Sequence, residues 1–422
     1  MSLNSTPVGS LARLDGDRIL FEFDHGYVVD ANRPVLSLSF LDNDGGVSVK
    51  QKTTRRRASP FFANVLPEGH MRSYIASRAG VNETRDFPLL RIVGDDLPGA
   101  VRVVPVRPIP QMDRAGETGD GSRTAESAPL RFSLAGVQLK FSAMAKADGG
   151  LTIPAHGMGG DWILKLPSTR YDHVPENEFS MMSLASMTGI DTPAIKLVPL
   201  ESVEGVPRDV TDGLQGRNVL AVKRFDRSPR DPWRIHIEDF AQIFTKYPDR
   251  KYEGVSYANI GQIVVSFAKA DDIDQFIGRL AFSALIGNGD MHLKNWSLMY
   301  PDGRTPKMAP LYDMLSTTAY IPDETMALRL GRTKRWDELT FDEFSRLADA
   351  MRCSENMVLN RVAEIVGRFR EAWETERRHL PVADRVASAV DKQLAMVPIA
   401  GARAMGGRVR RRRRPRKAVS QP

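Results

Sequence analysis

The sequence predicts an α+β protein of two lobes, β-rich then helical, with a further β-rich subdomain ahead of both. Three observations predict it. Apolar residues alternate at period two in several short runs before residue 235, and they recur at helical spacing after it. A stretch rich in Pro, Gly and small polar residues separates the first hundred residues from the rest. The expected divisions are a subdomain over 1–106, a flexible linker over 107–130, a β-rich lobe over 131–235, a helical lobe over 236–395 and a basic tail over 396–422.

In the first subdomain, residues 18–23 and 34–40 alternate and read as strands wet on one face. Ser59 and Pro60, ahead of Phe61, Phe62, Val65 and Leu66, read as a capped helix start. Residues 101–106 read as a closing strand. The second block gives strand, glycine turn and strand over 132–144, then strands over 162–166, 194–200 and 218–225. One helix over 176–186 interrupts them, with Asn177 as its expected N-cap. Beyond Trp233, amphipathic helices are expected over 237–244, 257–268, 274–286, 341–351 and 356–375. Strands over 296–300 and 307–311 flank the turn at Pro301, Asp302 and Gly303.

Composition narrows the class. The chain is 42% hydrophobic and 26% charged, enough to bury a core without covalent staples. Its single cysteine, Cys353, excludes an intrachain disulfide and fits a reducing cytoplasm. No apolar run is long enough to span a bilayer, and the first residues lack the basic and apolar regions of a signal peptide. A cytoplasmic location with no membrane partner is expected. The net charge of +7 belongs to the end of the chain: residues 408–417 hold eight basic residues and no acidic one, which leaves the remainder at −1. Such a run binds nucleic acid through counterion release, without specific reading, or is simply a solvated tail.

The most informative segment is Gly287-Asn288-Gly289-Asp290-Met291-His292-Leu293-Lys294-Asn295, between an apolar helix and a strand. An Asp and an Asn five residues apart at such a junction match the catalytic-loop logic of phosphoryl transfer, with Asp290 taking the hydroxyl proton and Asn295 ligating magnesium. The spacing alone also fits a polar surface loop. Asp313 follows the hairpin, where a second hard oxygen ligand is needed, and equally where a strand ends or a helix is capped. Lys165 sits among apolar residues on a strand, so its ammonium faces either a cleft or solvent. Glu178, on the following helix, is its candidate ion-pair partner. The run from Ser133 to Lys140 reads as a glycine turn between strands.

These segments together resemble HipA-type serine/threonine-protein kinase toxins. The resemblance rests on residues 133–140, 163–167, Asn177 with Glu178, 221–227, 238–242, 289–295 and 310–313 in that order, and on residues 62–68 in the first subdomain. It covers roughly residues 8–390 and implies a bilobal protein-kinase-like fold with an all-α C-terminal lobe. It implies that Asp290 is the catalytic base, with His292 and Lys294 near the transferred phosphate. It implies magnesium on Asn295 and Asp313, and ATP phosphates on Lys165, fixed by Glu178. Gly136, Val137 and Gln138 would form the phosphate-binding loop, with Ser133 the inhibitory autophosphorylation site. Val222, Lys223, Arg224 and Phe225 would form the hinge that holds adenine. Met291 stands where members often have glycine or alanine.

The implied function is an ATP- and magnesium-dependent kinase acting as the toxin of a toxin–antitoxin system. Its substrate would be an aminoacyl-tRNA synthetase, which ties the activity to translation arrest and persistence. Its partner would be a HipB-type helix-turn-helix antitoxin, through which it reaches operator DNA. Two alternatives remain at this point: a kinase-like scaffold acting mainly as an antitoxin-bound co-repressor, and a small-molecule kinase on the same lobes. Intact Asp290, Asn295, Asp313 and Lys165 weigh against a pure scaffold.

Overall fold

The computed structural model describes residues 1–106, 139–146, 150–154, 159–227, 233–267 and 270–401. The first part runs β1 (Ser2–Leu3), β2 (Thr6–Pro7), β3 (Gly9–Leu14), β4 (Arg18–Phe23), α1 (His25–Val29), β5 (Thr54–Arg55), α2 (Pro60–Asn64), α3 (Gly69–Ala79), α4 (Asp86–Val93) and β6 (Val101–Arg102). Two small antiparallel sheets result, β2-β1-β6 and β3-β4-β5. The part carries more helix than its alternating runs implied. The strand expected over 34–40 does not form: Leu38–Phe40 is a 3-10 turn capped by the Ser37 hydroxyl. The cause is distant in sequence. Ser37 Oγ and the Leu38 N–H both donate to the buried Glu238 carboxylate, at 2.5 and 3.0 Å, which takes the backbone off an extended path. The strand expected over 101–106 ends at Arg102.

The second part runs β7 (Lys140–Ala145), β8 (Leu151–Thr152), β9 (Trp162–Lys165), α5 (Val174–Met187), β10 (Ile195–Pro199), β11 (Val203–Glu204) and β12 (Asn218–Lys223). These strands form one six-stranded sheet, β10-β12-β9-β7-β8-β11, antiparallel except where β8 meets β11. Its register sets Lys165 opposite Lys140 on β7, so two ammonium groups share one face. Like charges directly opposite repel, and the pair needs an anion between them. Helix α5 starts earlier than expected. His173 enters it at φ 55 and Pro175 occupies its first turn, where the missing N–H costs nothing. Asn177 therefore lies inside the helix and is not its N-cap.

The third part runs β13 (His236–Asp239), α6 (Phe240–Ile243), α7 (Tyr257–Phe267), α8 (Ala270–Ile286), β14 (Ser297–Tyr300), β15 (Lys307–Met308), α9 (Phe341–Met351), α10 (Glu355–Glu376) and α11 (Asp384–Met396). This lobe is mostly helical, not all-α: β13-β14-β15 form an antiparallel sheet. A helix was expected over 237–244. Instead His236 and Glu238 are both buried, a period-two pattern. The helix waits for Asp239, whose capping box with Gln242 starts it at Phe240.

Among the described residues two apolar cores result, and neither follows a single part of the chain. One joins the first part, through Phe21, Phe62 and Leu90, to the six-stranded sheet, through Phe141, Leu164 and Ala221. The other joins α5, through Met181 and Leu184, to the helical lobe. A buried ion network also ties the first part to the end of β12: Asp96 meets Arg227 at 2.8 Å and Arg234 at 3.6 Å. Among the described residues, no helix is long and apolar enough to cross a membrane.

Candidate active site

A cleft of about 940 Å³ opens between the lobes, and residues from all three parts of the chain line it. On its sheet wall the Lys165 ammonium is buried against Glu178 of α5 and Asp313. Lys140 reaches the same Asp313 carboxylate at 2.9 and 3.2 Å. Asp313 is thus the anion that the cross-strand lysine pair requires. Burial works to raise the Asp313 carboxyl, but Lys140 and Lys165 outweigh it and hold it well below the usual carboxylate range. Burial likewise opposes the Lys165 charge, and Asp313 with Glu178 raises its pKa regardless. Asp313 has φ 52, a left-handed conformation that aspartate tolerates better than most residues. Just beyond it, the Asn177 amide pairs reciprocally with the Ser316 backbone at 3.0 Å in each direction. That bond fixes α5, and with it Glu178, to the segment carrying Asp313.

The opposite wall is the loop after α8. Gly287 turns the chain at φ 66, and a Cβ there would come within 2.4 Å of Thr318 Oγ1. At Gly289 a Cβ would lie 2.4 Å from the Glu324 side chain, while its N–H donates to Thr317 Oγ1 at 2.8 Å. Buried Asn288 accepts the Asp290 N–H at 3.0 Å. The Asp290 carboxylate stays 42% exposed at the cleft, where an incoming hydroxyl has access. Asn295 Nδ2 donates to Asp290 O at 2.8 Å, which fixes the amide and spares its oxygen from that bond. The Met291 side chain is buried in the core, and its carbonyl accepts from Tyr257 and Trp296 at 3.1 and 3.3 Å. An apolar residue after the aspartate is therefore a packing choice.

Two expected site residues have altered parts. His292 Nε2 lies 3.8 Å from Asp290 Oδ1, beyond hydrogen-bond reach. Burial brings its pKa down to about 4, so the imidazole is neutral at pH 7 and brings no charge to a phosphate. The Lys294 ammonium donates to Asn64 O at 3.1 Å and to the Glu68 carboxylate, both from the first part of the chain.

The expected hinge lies where β12 ends. The Lys223 N–H donates to Ala194 O at 2.8 Å, and its ammonium pairs with Asp161 above the Trp162 ring. The Arg224 guanidinium is buried against Asp226, with bonds of 2.9 and 2.7 Å, and Ser142, at 3.1 Å. The Arg224 backbone N–H donates to Asp161 O at 2.8 Å, which leaves its carbonyl for a ligand. The Phe225 ring lies 5.8 Å from that of Tyr312, tilted by 33°, and Val222 lines the cleft. Ser133, Gly136, Val137 and Gln138, the linker over 107–130 and the basic run over 408–417 lie outside the described residues.

The sequence reading missed Lys140, Glu68, Lys251 and Tyr252. Lys140 was within reach, since two strands each carrying a lysine among apolar residues are positioned to pair. Glu68 ends the 62–68 segment that carries the resemblance, but no role falls to it from the sequence. Nothing local marks Lys251 or Tyr252.

Among the described residues no group of three or more His, Cys, Asp or Glu could hold a metal by itself. Asp313, kept ionised, and the anchored Asn295 amide both line the cleft and carry hard oxygens, those of Asp313 shared with Lys165 and Lys140. That fits magnesium, which takes its other ligands from phosphate and water.

Comparison with known proteins shows the family and the fold. Residues 1–104 match the model of the HipA N-terminal domain, and residues 132–373 that of the HipA-like C-terminal domain. Y4dM of Sinorhizobium fredii, named provisionally as a kinase, is 48% identical over 94% of this chain and 96% of its own length. Y4mE of the same organism, named likewise, is 32% identical over 83% and 85%. The serine/threonine-protein kinase toxin HipA of Shewanella oneidensis is 26% identical over 78% and 80%. A solved complex of Shewanella oneidensis HipA, HipB and operator DNA matches with a TM-score of 0.69 at 21% identity, over 93% of this chain and 95% of that one. The fold is therefore the α+β kinase-like fold of HipA. With both domain models in order along it and a relative 48% identical across most of both chains, the chain belongs to the HipA family.

Proposed function

We propose that this protein is an ATP- and magnesium-dependent serine/threonine protein kinase that acts as the toxin of a toxin–antitoxin system. One observation carries the reading: Lys165, ion-paired to Glu178 and Asp313, lies on one wall of the cleft whose other wall presents Asp290. Phosphoryl transfer asks the protein for positioning and charge neutralisation, and these groups provide both. Lys165 and Lys140 draw in the nucleotide phosphates. Asn295 and Asp313 would hold magnesium, which when bound neutralises charge on the transferred phosphoryl group. Asp290 accepts the proton of the acceptor hydroxyl as its oxygen bonds to the γ-phosphorus and ADP leaves. Neutral His292 packs beneath Asp290. The main chain of residues 222–225 holds the adenine.

Ser133 is the proposed site of inhibitory autophosphorylation. The proposed substrate is an aminoacyl-tRNA synthetase, and a HipB-type antitoxin is the proposed partner, linking the protein to operator DNA. The fold match to a HipA–HipB–operator complex supports the partner, and the substrate class is what the resemblance to HipA-type toxins implies. Phosphoproteomics after brief expression tests the substrate, with Asp290→Asn as control. The reading expects new phosphoserine or phosphothreonine on a synthetase with the wild type alone. Identical phosphoproteomes from the two proteins would remove it.

A further inference from the structure

Glu68 belongs to the first part of the chain, yet its carboxylate ends against the loop of Asp290, 226 residues from Lys294. One oxygen takes the Lys294 ammonium, and the other takes Lys251 at 3.3 Å. Among the described residues, Glu68 is the carboxylate within ion-pair distance of Lys294. Burial works to raise its carboxyl, but the two lysines outweigh it and bring it down to about 2.

Lys251 belongs to a strap over 246–252 that crosses the loop. The Lys251 carbonyl accepts the Leu293 N–H at 3.2 Å. The next residue, Tyr252, donates its hydroxyl to Asp290 Oδ1 at 2.5 Å, and its ring meets His292 edge-on at 5.0 Å. The first part of the chain also grips the strap elsewhere. Asn64 Nδ2 donates to Lys246 O at 2.7 Å, Arg57 pairs with Asp249 at 2.7 Å, and the Arg57 guanidinium lies 4.1 Å over the Tyr247 ring.

We propose that Glu68 is a positioning residue of the phosphoryl-transfer site, holding Lys294 directly and Tyr252 on Asp290 through Lys251. What the positioning serves rests on the kinase reading; the contacts themselves do not. A salt bridge that only docked one part of the chain on another has no reason to face the cleft, whereas Glu68, Lys251 and Lys294 all line it. Without the Glu68 charge the buried Lys294 ammonium keeps only a carbonyl, so it turns toward other acceptors in the cleft. The strap loses the tie that seats Tyr252.

The test compares the full chain with Glu68→Gln and Glu68→Asp by hydrogen exchange and by autophosphorylation with ATP and magnesium. Glu68→Gln is expected to speed exchange over 286–296 and 246–254 while leaving α9 and α10 unchanged. It is also expected to lower kcat by about 10- to 100-fold with KM for ATP nearly constant, and Glu68→Asp is expected to recover part of the loss. Unchanged exchange over 286–296, or exchange accelerated equally everywhere, overturns the proposal, as does an unchanged kcat. If Glu68→Gln does not fold, Lys251→Met carries the same test on the strap. If the wild type transfers no phosphate, the kinase reading falls, and the exchange result still decides whether Glu68 sets the loop.

Discussion

Two charged clusters meet across the cleft, and the chain builds them in different ways. Lys165 and Lys140 sit on paired strands and Glu178 on a helix, regular elements whose register aims the side chains, and Asp313, just beyond the hairpin, is tied to that helix through Ser316 and Asn177. Asp290, Lys294, Lys251, Tyr252 and Glu68 sit on a loop, a strap and the turn between α2 and α3. The first cluster is fixed by the elements it stands on. The second is fixed by contacts between distant parts of the chain. The phosphate-holding side of such a site therefore tolerates sequence change elsewhere, while the acceptor side depends on how the first part of the chain is seated.

The sharpest way to test this contrast is at Asp290. Asp290→Asn should lower the phosphorylation rate by about 10²- to 10⁴-fold, the range of a general base, with Tm close to wild type, because the amide oxygen still accepts from Tyr252. Kinetics and a thermal melt check both. Lys165→Met should behave otherwise: activity falls and the fold suffers too. Removing one partner of a buried ion pair costs about 3–5 kcal/mol, and here it leaves Glu178 and Asp313 facing each other with only Lys140 to relieve them. Urea unfolding should show the loss. A Lys165→Met protein as stable as wild type would remove the claim that this cluster is a structural element.

The seam between the first part of the chain and the helical lobe should show in pH dependence. Glu238 is fully buried beneath Ser37, Leu38 and Tyr300, and burial raises its pKa to about 7 despite those three donors. Its folded value lies above its unfolded one, so the stability it contributes is complete below the unfolded pKa and is lost as pH rises toward and through 7. Over that window the folded group keeps a proton that the unfolded one has released, and each pH unit costs about 1.4 kcal/mol. The wild type should therefore lose about 2 kcal/mol through this group between about pH 5 and pH 7. Glu238→Gln should flatten the corresponding difference in Tm. Arg57→Ala should have the smallest effect. The Arg57–Asp249 pair is 40% and 61% exposed, and such pairs contribute less than about 1 kcal/mol. A large rate loss from Arg57→Ala would move the control of the strap from Glu68 to Arg57.

The same division decides what was legible in the sequence. The strands bearing Lys165 and Val222, the helix bearing Glu178 and the hairpin before Asp313 announce themselves through local periodicity and turn residues. So does the helix–loop–strand junction holding Asp290 and Asn295. Residues 34–40 and 237–244 were misread for one shared reason. The alternating run at 34–40 gives its backbone and hydroxyl donors to Glu238, and the start of 237–244 turns its side chains to 34–40. Neither partner is visible within a local window. Asn177 was misread because α5 starts earlier, at Val174, which frees its amide to pair with Ser316. Arg224 stands at the expected hinge, and nothing there announces that its guanidinium belongs to Asp226 and Ser142. Glu68, Lys251 and Tyr252 acquire their places only when the first part of the chain docks on the strap.

The central claim is that these clusters form a working kinase site. Incubating the purified full chain with ATP and magnesium, then mapping phosphate by mass spectrometry, tests it most directly. The account predicts phosphate on Ser133 in the wild type and none in Asp290→Asn of equal stability. An unphosphorylated wild type under both magnesium and manganese, or equal phosphate on the two proteins, would contradict it.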